Sequence, residues 1–72
     1  MYTNLIAEAP TMTKSEAREY ANAQTFIEHG MADTAARTMS ALVRACRTQR
    51  SYKALMTAAQ EMGIAQHPDF VI

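Results

Sequence analysis

Three side chains in this 72-residue chain could carry nucleophilic or metal chemistry: Cys46, His29 and His67. A thiolate at Cys46 could be activated by its neighbours Arg44 and Arg47. On a helix, however, side chains one or two positions apart point in different directions. Cys46 also falls on the apolar face of its segment, where cysteine behaves as a small hydrophobic residue. We therefore expect Cys46 to pack in the core.

The two histidines do not predict a metal site. Zinc centres take several protein ligands at short spacings, and the chain contains no Cys-x-x-Cys or His-x-x-x-His pattern. His29 lies at a predicted helix C-terminus, and His67 precedes Pro68 in the tail, so both suit structural or solvent roles. A glycine-rich phosphate loop and a nucleophile elbow are also missing from the sequence. We expect a non-enzymatic protein without catalytic, cofactor-binding or metal-binding residues.

The distribution of charge is more informative than these side chains. The formal net charge is zero, yet residues 37–53 contain five cations and no carboxylate. One interpretation is a solvated helix face, with cations that favour a helix C-terminus. The other is a surface for an acidic partner, because arginine and aromatic side chains dominate interface energetics. The predicted partner-binding residues are Arg37, Arg44, Arg47, Arg50, Tyr52 and Lys53.

Residues 33–49 form the clearest helix, and they position most of these cations. Its large apolar residues follow the i, i+3, i+4, i+7 spacing of one helix face. Arg37 and Arg44 fall on the opposite face, and Asp33 is the predicted N-cap. The apolar face consists of Ala35, Ala36, Met39, Leu42, Val43 and Cys46.

Two further helices are predicted. A capping box at Thr13 and Glu16 begins a helix over residues 14–29, which Gly30 ends. The short loop that follows makes the first two helices antiparallel neighbours. Ser51 can cap a third helix over residues 52–62. Its predicted apolar stripe is Tyr52, Leu55, Met56, Ala59 and Met62.

The boundary between the second and third helices is marked by neither proline nor glycine, so one long, bent rod is an alternative. We predict a break near Arg50, because a rod would leave the first helix covering only half of it. The fold class is then all-α: one domain over residues 1–72, made of an antiparallel helical hairpin plus a third helix. An extended N-terminal arm precedes Pro10, and a C-terminal tail with an apolar end follows the third helix.

Composition indicates the cellular compartment of the protein and the classes of partner that it can bind. A single cysteine suits a reducing cytosol, no apolar run approaches the roughly 18 residues of a membrane span, and the N-terminus lacks the pattern of a secretory signal. We therefore expect a cytoplasmic protein that does not enter a membrane. Zero net charge argues against a dedicated nucleic-acid binder. A domain this small buries little surface, so a homodimer is a further expectation to test.

Two five-residue segments that lie 33 residues apart share the pattern E-x-G-[MI]-A: Glu28-His-Gly-Met-Ala32 and Glu61-Met-Gly-Ile-Ala65. With Gly30 as the inter-helix glycine, the first hairpin resembles a tetratricopeptide repeat over about 35 residues. Asn22 and Glu19 depart from its usual apolar positions, and two helices that end in similar glycine turns would give the same echo. The resemblance implies a protein- or peptide-binding scaffold. The positions that carry it are Ala23, Phe26, Ala35 and Met39.

These observations favour a small helical interaction module that binds and modulates another protein as an inhibitor or adaptor. Short chains of this type include accessory proteins of phages and mobile elements, which is an expectation from frequency alone. The alternative is a small DNA- or RNA-binding regulator that uses the same basic residues. That alternative is weaker, because the third helix offers few side chains besides Lys53 that could read bases or phosphates.

Overall fold

The computed structural model describes residues 11–72, and this part of the chain is all-α. Its three helices are Lys14–Glu28 (α1), Ala32–Ala45 (α2) and Gln49–Met62 (α3), and the described residues form no strand. The predicted fold class is confirmed. The predicted N-terminal arm lies outside the described residues.

The start of α1 is the predicted capping box. The Glu16 backbone N–H donates to the Thr13 hydroxyl at 3.1 Å, and the Thr13 N–H donates to the Glu16 carboxylate at 2.9 Å. At the other end, Gly30 adopts a left-handed φ of 76°, and the Met31 N–H donates to the Phe26 carbonyl at 2.8 Å. A side chain at Gly30 would be strained in this conformation, so glycine allows the immediate reversal into α2.

The reversal is so tight that α2 begins one residue earlier than predicted. Met31 is the N-cap residue and provides no side-chain cap. Asp33 was predicted as the cap, but it lies inside the first turn, where its carboxylate accepts from the Thr34 N–H at 2.9 Å. In this position it still places negative charge at the positive end of the helix dipole.

The predicted break between α2 and α3 exists, although its limits differ from the sequence-based ones. Helix α2 ends at Ala45, four residues before Gln49, and Cys46 and Thr48 adopt extended backbone angles. The cap of α3 is Thr48 and not Ser51: the Thr48 hydroxyl accepts from the Ser51 N–H at 3.1 Å. Threonine is a favoured N-cap, so α3 begins three residues before Tyr52.

Helix α2 is the central element, since both α1 and α3 pack against it. Most buried apolar side chains are small, and only Met39 and Leu55 are both large and completely buried. Leu42 and Cys46 were predicted in the core, but they are only half-buried against its edge. The buried apolar residues are Ala23, Ala35, Ala36, Met39, Val43, Leu55, Ala58, Ala59 and Ile64.

The buried face of α3 is rotated from the predicted stripe. Leu55 and Ala59 are buried as expected, but Ser51 and Ala58 are buried with them, and Tyr52 remains exposed. The reason is the small residues of α2, which leave room for Ser51 and Ala58 to approach where a tyrosine would not fit.

The C-terminal tail returns to α2 after α3 ends. Gly63 has a left-handed φ of 80°, and the buried Ile64 donates its N–H to the Ala59 carbonyl at 3.1 Å. Two turns follow, and the tail then reaches Ser40, whose hydroxyl donates to the Asp69 carbonyl at 3.1 Å and accepts from the Val71 N–H at 2.7 Å. Ser40 is buried, and both of these hydrogen bonds are partly buried.

Replacing Leu55 by alanine should lower the free energy of unfolding by about 2–5 kcal/mol, because the side chain is fully buried and its cavity cannot fill from outside. Urea denaturation measures the loss. Arg44→Ala, which removes an exposed side chain, should change stability by no more than about 0.5 kcal/mol. A larger loss for Arg44→Ala than for Leu55→Ala would mean that the faces are assigned wrongly.

Replacing Ser40 by alanine should detach the tail. The Val71 N–H and the Asp69 carbonyl would lose their partner, at a cost of about 1–3 kcal/mol. Hydrogen exchange at the Val71 amide should accelerate, while the amides of α1 keep their relative protection. Thr57→Ala, which removes an exposed hydroxyl from α3, is the control, and unchanged exchange at Val71 in Ser40→Ala would contradict the assignment.

Candidate functional site

The ends of the three helices lie at two opposite ends of the described part of the molecule. Residues near the start of α1 line one groove together with the end of α2 and the start of α3, among them Thr13, Leu42 and Ser51. Residues near the ends of α1 and α3 line another, among them Ile27 and Met62. Helices α1 and α3 therefore run in the same direction, antiparallel to α2.

This arrangement separates charge that the sequence intermingles. We call the end where α1 and α3 begin the basic end. Among residues 11–72, it carries six cations and two side-chain carboxylates: Lys14, Arg18, Arg44, Arg47, Arg50, Lys53, Glu16 and Glu19. The opposite end, the acidic end, carries one cation and four side-chain carboxylates of the same range: Arg37, Glu28, Asp33, Glu61 and Asp69. Residues 11–72 thus have an excess of positive charge at one end and of negative charge at the other.

Arg37 does not join the other predicted partner-binding residues. Its guanidinium lies 3.0 Å from the Asp69 carboxylate and 3.7 Å from that of Asp33. It also donates to the Thr34 hydroxyl at 3.4 Å. These contacts tie Arg37 to the tail and to its own helix, so it is separated from the remaining cations.

The other five predicted residues belong to the basic end and are all exposed: Arg44, Arg47, Arg50, Tyr52 and Lys53. Arg44, Arg47 and Lys53 form no ion pair with any carboxylate of residues 11–72. Tyr52 exposes 38% of its surface, which is high for a large side chain on an otherwise packed helix. We call these five residues the basic surface.

The groove at the basic end has a polar wall formed by the start of α3. It measures about 300 Å³ and is lined there by Arg47, Thr48 and Ser51. Ser51 exposes only 4% of its surface, and its hydroxyl has no hydrogen-bond partner within the described part of the chain. Buried hydroxyls are normally paired, so this one is available to a bound group.

The other walls of the groove differ in character. Leu42 and Ala45 supply an apolar wall from the last turn of α2. Thr13 and Glu16 supply the wall of α1, where both are already engaged in the capping box. The groove therefore combines donors, an apolar patch and one carboxylate whose negative charge is partly satisfied by a backbone N–H.

The side chains first considered for nucleophilic or metal chemistry, Cys46 and His67 among them, make local structural contacts. Cys46 is half-buried at the C-cap of α2, where its thiol donates to the Val43 carbonyl at 3.1 Å. His67 accepts the Asp69 N–H on its Nδ1 at 3.0 Å, which makes it part of a tail turn. Residues 11–72 contain no group of three His, Cys, Asp or Glu side chains placed to hold a metal ion.

Sequence reasoning missed the groove because it assigned Ser51 to the helix cap. The pattern Thr48-Gln-Arg-Ser51 offers two hydroxyls three positions apart, and either could begin a helix. Because α3 begins at Gln49, Ser51 lies within the first turn of the helix, where it is buried. That choice depends on how α3 packs on α2, which local sequence does not encode.

Comparisons with known proteins leave the site to be interpreted from its own geometry. No protein-family model, curated protein or solved structure matches this chain. None of the helices in the described part is sufficiently long and apolar to cross a membrane.

The ion pair between Arg37 and Asp69 should contribute little to stability, because both side chains are substantially exposed. Arg37→Gln should lower the free energy of unfolding by no more than about 1 kcal/mol. A double-mutant cycle with Asp69→Asn, measured by urea denaturation in low and high salt, isolates the pair. A coupling well above that value, insensitive to salt, would contradict this view of Arg37.

Proposed function

We propose that this protein is a small, non-enzymatic interaction module whose basic surface binds an acidic region of another protein. The observation that carries the proposal is that one end of the molecule exposes four cations and an aromatic side chain: Arg44, Arg47, Arg50, Lys53 and Tyr52. Such a surface steers an acidic partner electrostatically, and the aromatic side chain can supply a desolvated contact. Binding that covers or recruits a partner is the action of an inhibitor or adaptor.

Two features favour a protein partner over a nucleic acid. Helix α3 continues from its basic start into Gln60 and Glu61, so it does not present a basic strip along its length. The resemblance of the first hairpin to a tetratricopeptide repeat is in keeping with a peptide-binding scaffold.

We also propose a cytoplasmic setting, since the lone Cys46 is in keeping with reducing conditions. Origin in a phage or mobile element is part of the same proposal and has no residue-level support. Self-association remains a rival use of the two charged ends, because the basic end of one copy complements the acidic end of another. Light scattering during gel filtration decides between a monomer and a dimer.

The test is a pull-down from the source cell's lysate, with and without nuclease, followed by affinity measurement with the purified partner. Arg44→Gln/Arg47→Gln/Lys53→Gln should weaken binding at least about tenfold, since three interfacial charge contacts are removed. Arg37→Gln is the matched control, because it removes an arginine at the acidic end, and it should bind like the unmodified protein.

Salt dependence separates the candidate partners. A protein interface that includes Tyr52 should lose affinity only moderately between low and physiological salt, because screening weakens its charge contacts but not its apolar ones. Contacts to about four phosphates would instead give a log–log slope near −3.6 for a duplex. Nuclease-sensitive capture with such a slope would overturn the proposal in favour of a nucleic-acid regulator. Equal binding by the triple variant and Arg37→Gln would remove the basic surface from consideration.

A further inference from the structure

The groove at the basic end has the features of an anion site. Helices α1 and α3 both begin there, and the first-turn N–H groups of a helix lack intrahelical acceptors and mark the positive end of its dipole. Two such ends converge on one groove, against the single negative end of α2, and α3 has no acidic residue in its first turn to neutralise its own end. This field by itself does not define a ligand.

Ser51 supplies the independent observation. The residue exposes only 4% of its surface, it lines the groove, and its hydroxyl has no partner among residues 11–72. An unsatisfied buried hydroxyl costs free energy in the unliganded protein. A bound acceptor would recover that cost, and the Thr48 and Arg47 side chains beside it add further donors.

We propose that this groove binds a carboxylate carried by an acidic residue of the protein partner. The inference rests on the proposed function and deepens it, since it identifies a pocket within the basic surface. Ser51 and Thr48 would donate hydroxyl hydrogen bonds to the carboxylate, and Arg47 would approach it from the solvent side. Arg47 belongs to the basic surface as well, which makes the groove continuous with it.

A carboxylate fits the groove better than a phosphate. Glu16 lines the opposite wall. Within residues 11–72, one of its carboxylate oxygens accepts a backbone hydrogen bond, from the Thr13 N–H. The Glu16 carboxylate would repel a doubly charged phosphate more strongly than a singly charged carboxylate ligand. Leu42 and Ala45 form an apolar wall next to the donors, so the acidic residue should be flanked by an apolar side chain.

The experiment uses the full chain labelled with ¹⁵N and a blocked dipeptide, N-acetyl-leucyl-glutamyl amide. Titration at millimolar concentration should shift the amide resonances of Ser51 and its neighbours. The isosteric glutaminyl dipeptide should bind at least about tenfold more weakly, because it lacks the charge that makes these hydrogen bonds strong. Inorganic phosphate at the same ionic strength should also bind more weakly than the glutamyl dipeptide.

Two variants and one control define the residues. Ser51→Ala should weaken binding of the glutamyl dipeptide about tenfold, and Arg47→Gln about threefold. Arg37→Gln should leave it unchanged, because Arg37 lies at the acidic end, pairs with Asp69 and does not line the groove. Ser51→Ala should also melt at the same temperature as the unmodified protein or higher, since it removes an unsatisfied buried hydroxyl. Loss of binding would then not reflect unfolding.

Equal affinity for the two dipeptides, or unchanged binding in a folded Ser51→Ala variant, would overturn the inference. Tighter binding of phosphate would overturn the choice of a carboxylate. These failures are distinct from failure of the proposed function. If the groove does not bind the dipeptide while the triple variant still loses the protein partner, the basic surface acts without this pocket.

Discussion

The packing of small residues along α2 is the constraint on which the rest of the structure depends. Five of the nine buried apolar residues in the described part are alanines, and only Met39 and Leu55 are large and fully buried. Alanine lets helix backbones approach closely, but each contributes little apolar area. The domain therefore relies on the ends of its helices to an unusual degree.

The helix ends meet this requirement with specific hydrogen bonds. Thr13 and Glu16 close the start of α1, and Thr48 closes the start of α3. Gly30 and Gly63 reverse the chain at positive φ. Caps of this kind contribute about 0.5–2 kcal/mol each, which is a large share of the stability of so small a domain. They also set where each helix begins, and thereby which residues are buried.

The same geometry produces the candidate site. Short connections force three antiparallel helices, so the positive ends of α1 and α3 lie beside the cations at the end of α2 and the start of α3. The dipoles of α1 and α3 have the same sign as the side-chain charge at the basic end, and the negative C-terminus of α2, which also lies there, faces these cations. Ser51, in the first turn of α3, is buried, and its hydroxyl has no hydrogen-bond partner among residues 11–72. The proposed carboxylate site therefore depends on a residue that the fold buries.

Local sequence determined the elements: the capping box at Thr13, the glycines that end α1 and α3, and the apolar face around Met39 all reflect interactions within a few residues. For that reason the three-helix, all-α fold and the exposed cations could be predicted. Two features of these elements could not be predicted locally. Thr48 and Ser51 were both competent caps, and Thr48 caps α3. Leu42 and Tyr52 had core spacing, but Leu42 is half-buried and Tyr52 is exposed, while Ser51 and Ala58 are buried.

The separation of charge into two ends was decided in the same way, by the antiparallel order of the helices. Arg37 belongs to the same carboxylate-free stretch, residues 37–53, as the other basic residues, yet the returning tail places Asp69 3.0 Å from its guanidinium. A contact across 32 residues leaves no periodic or local signal in the sequence. The chain alone therefore specified which residues are charged and exposed, and only the fold determined which of them act together.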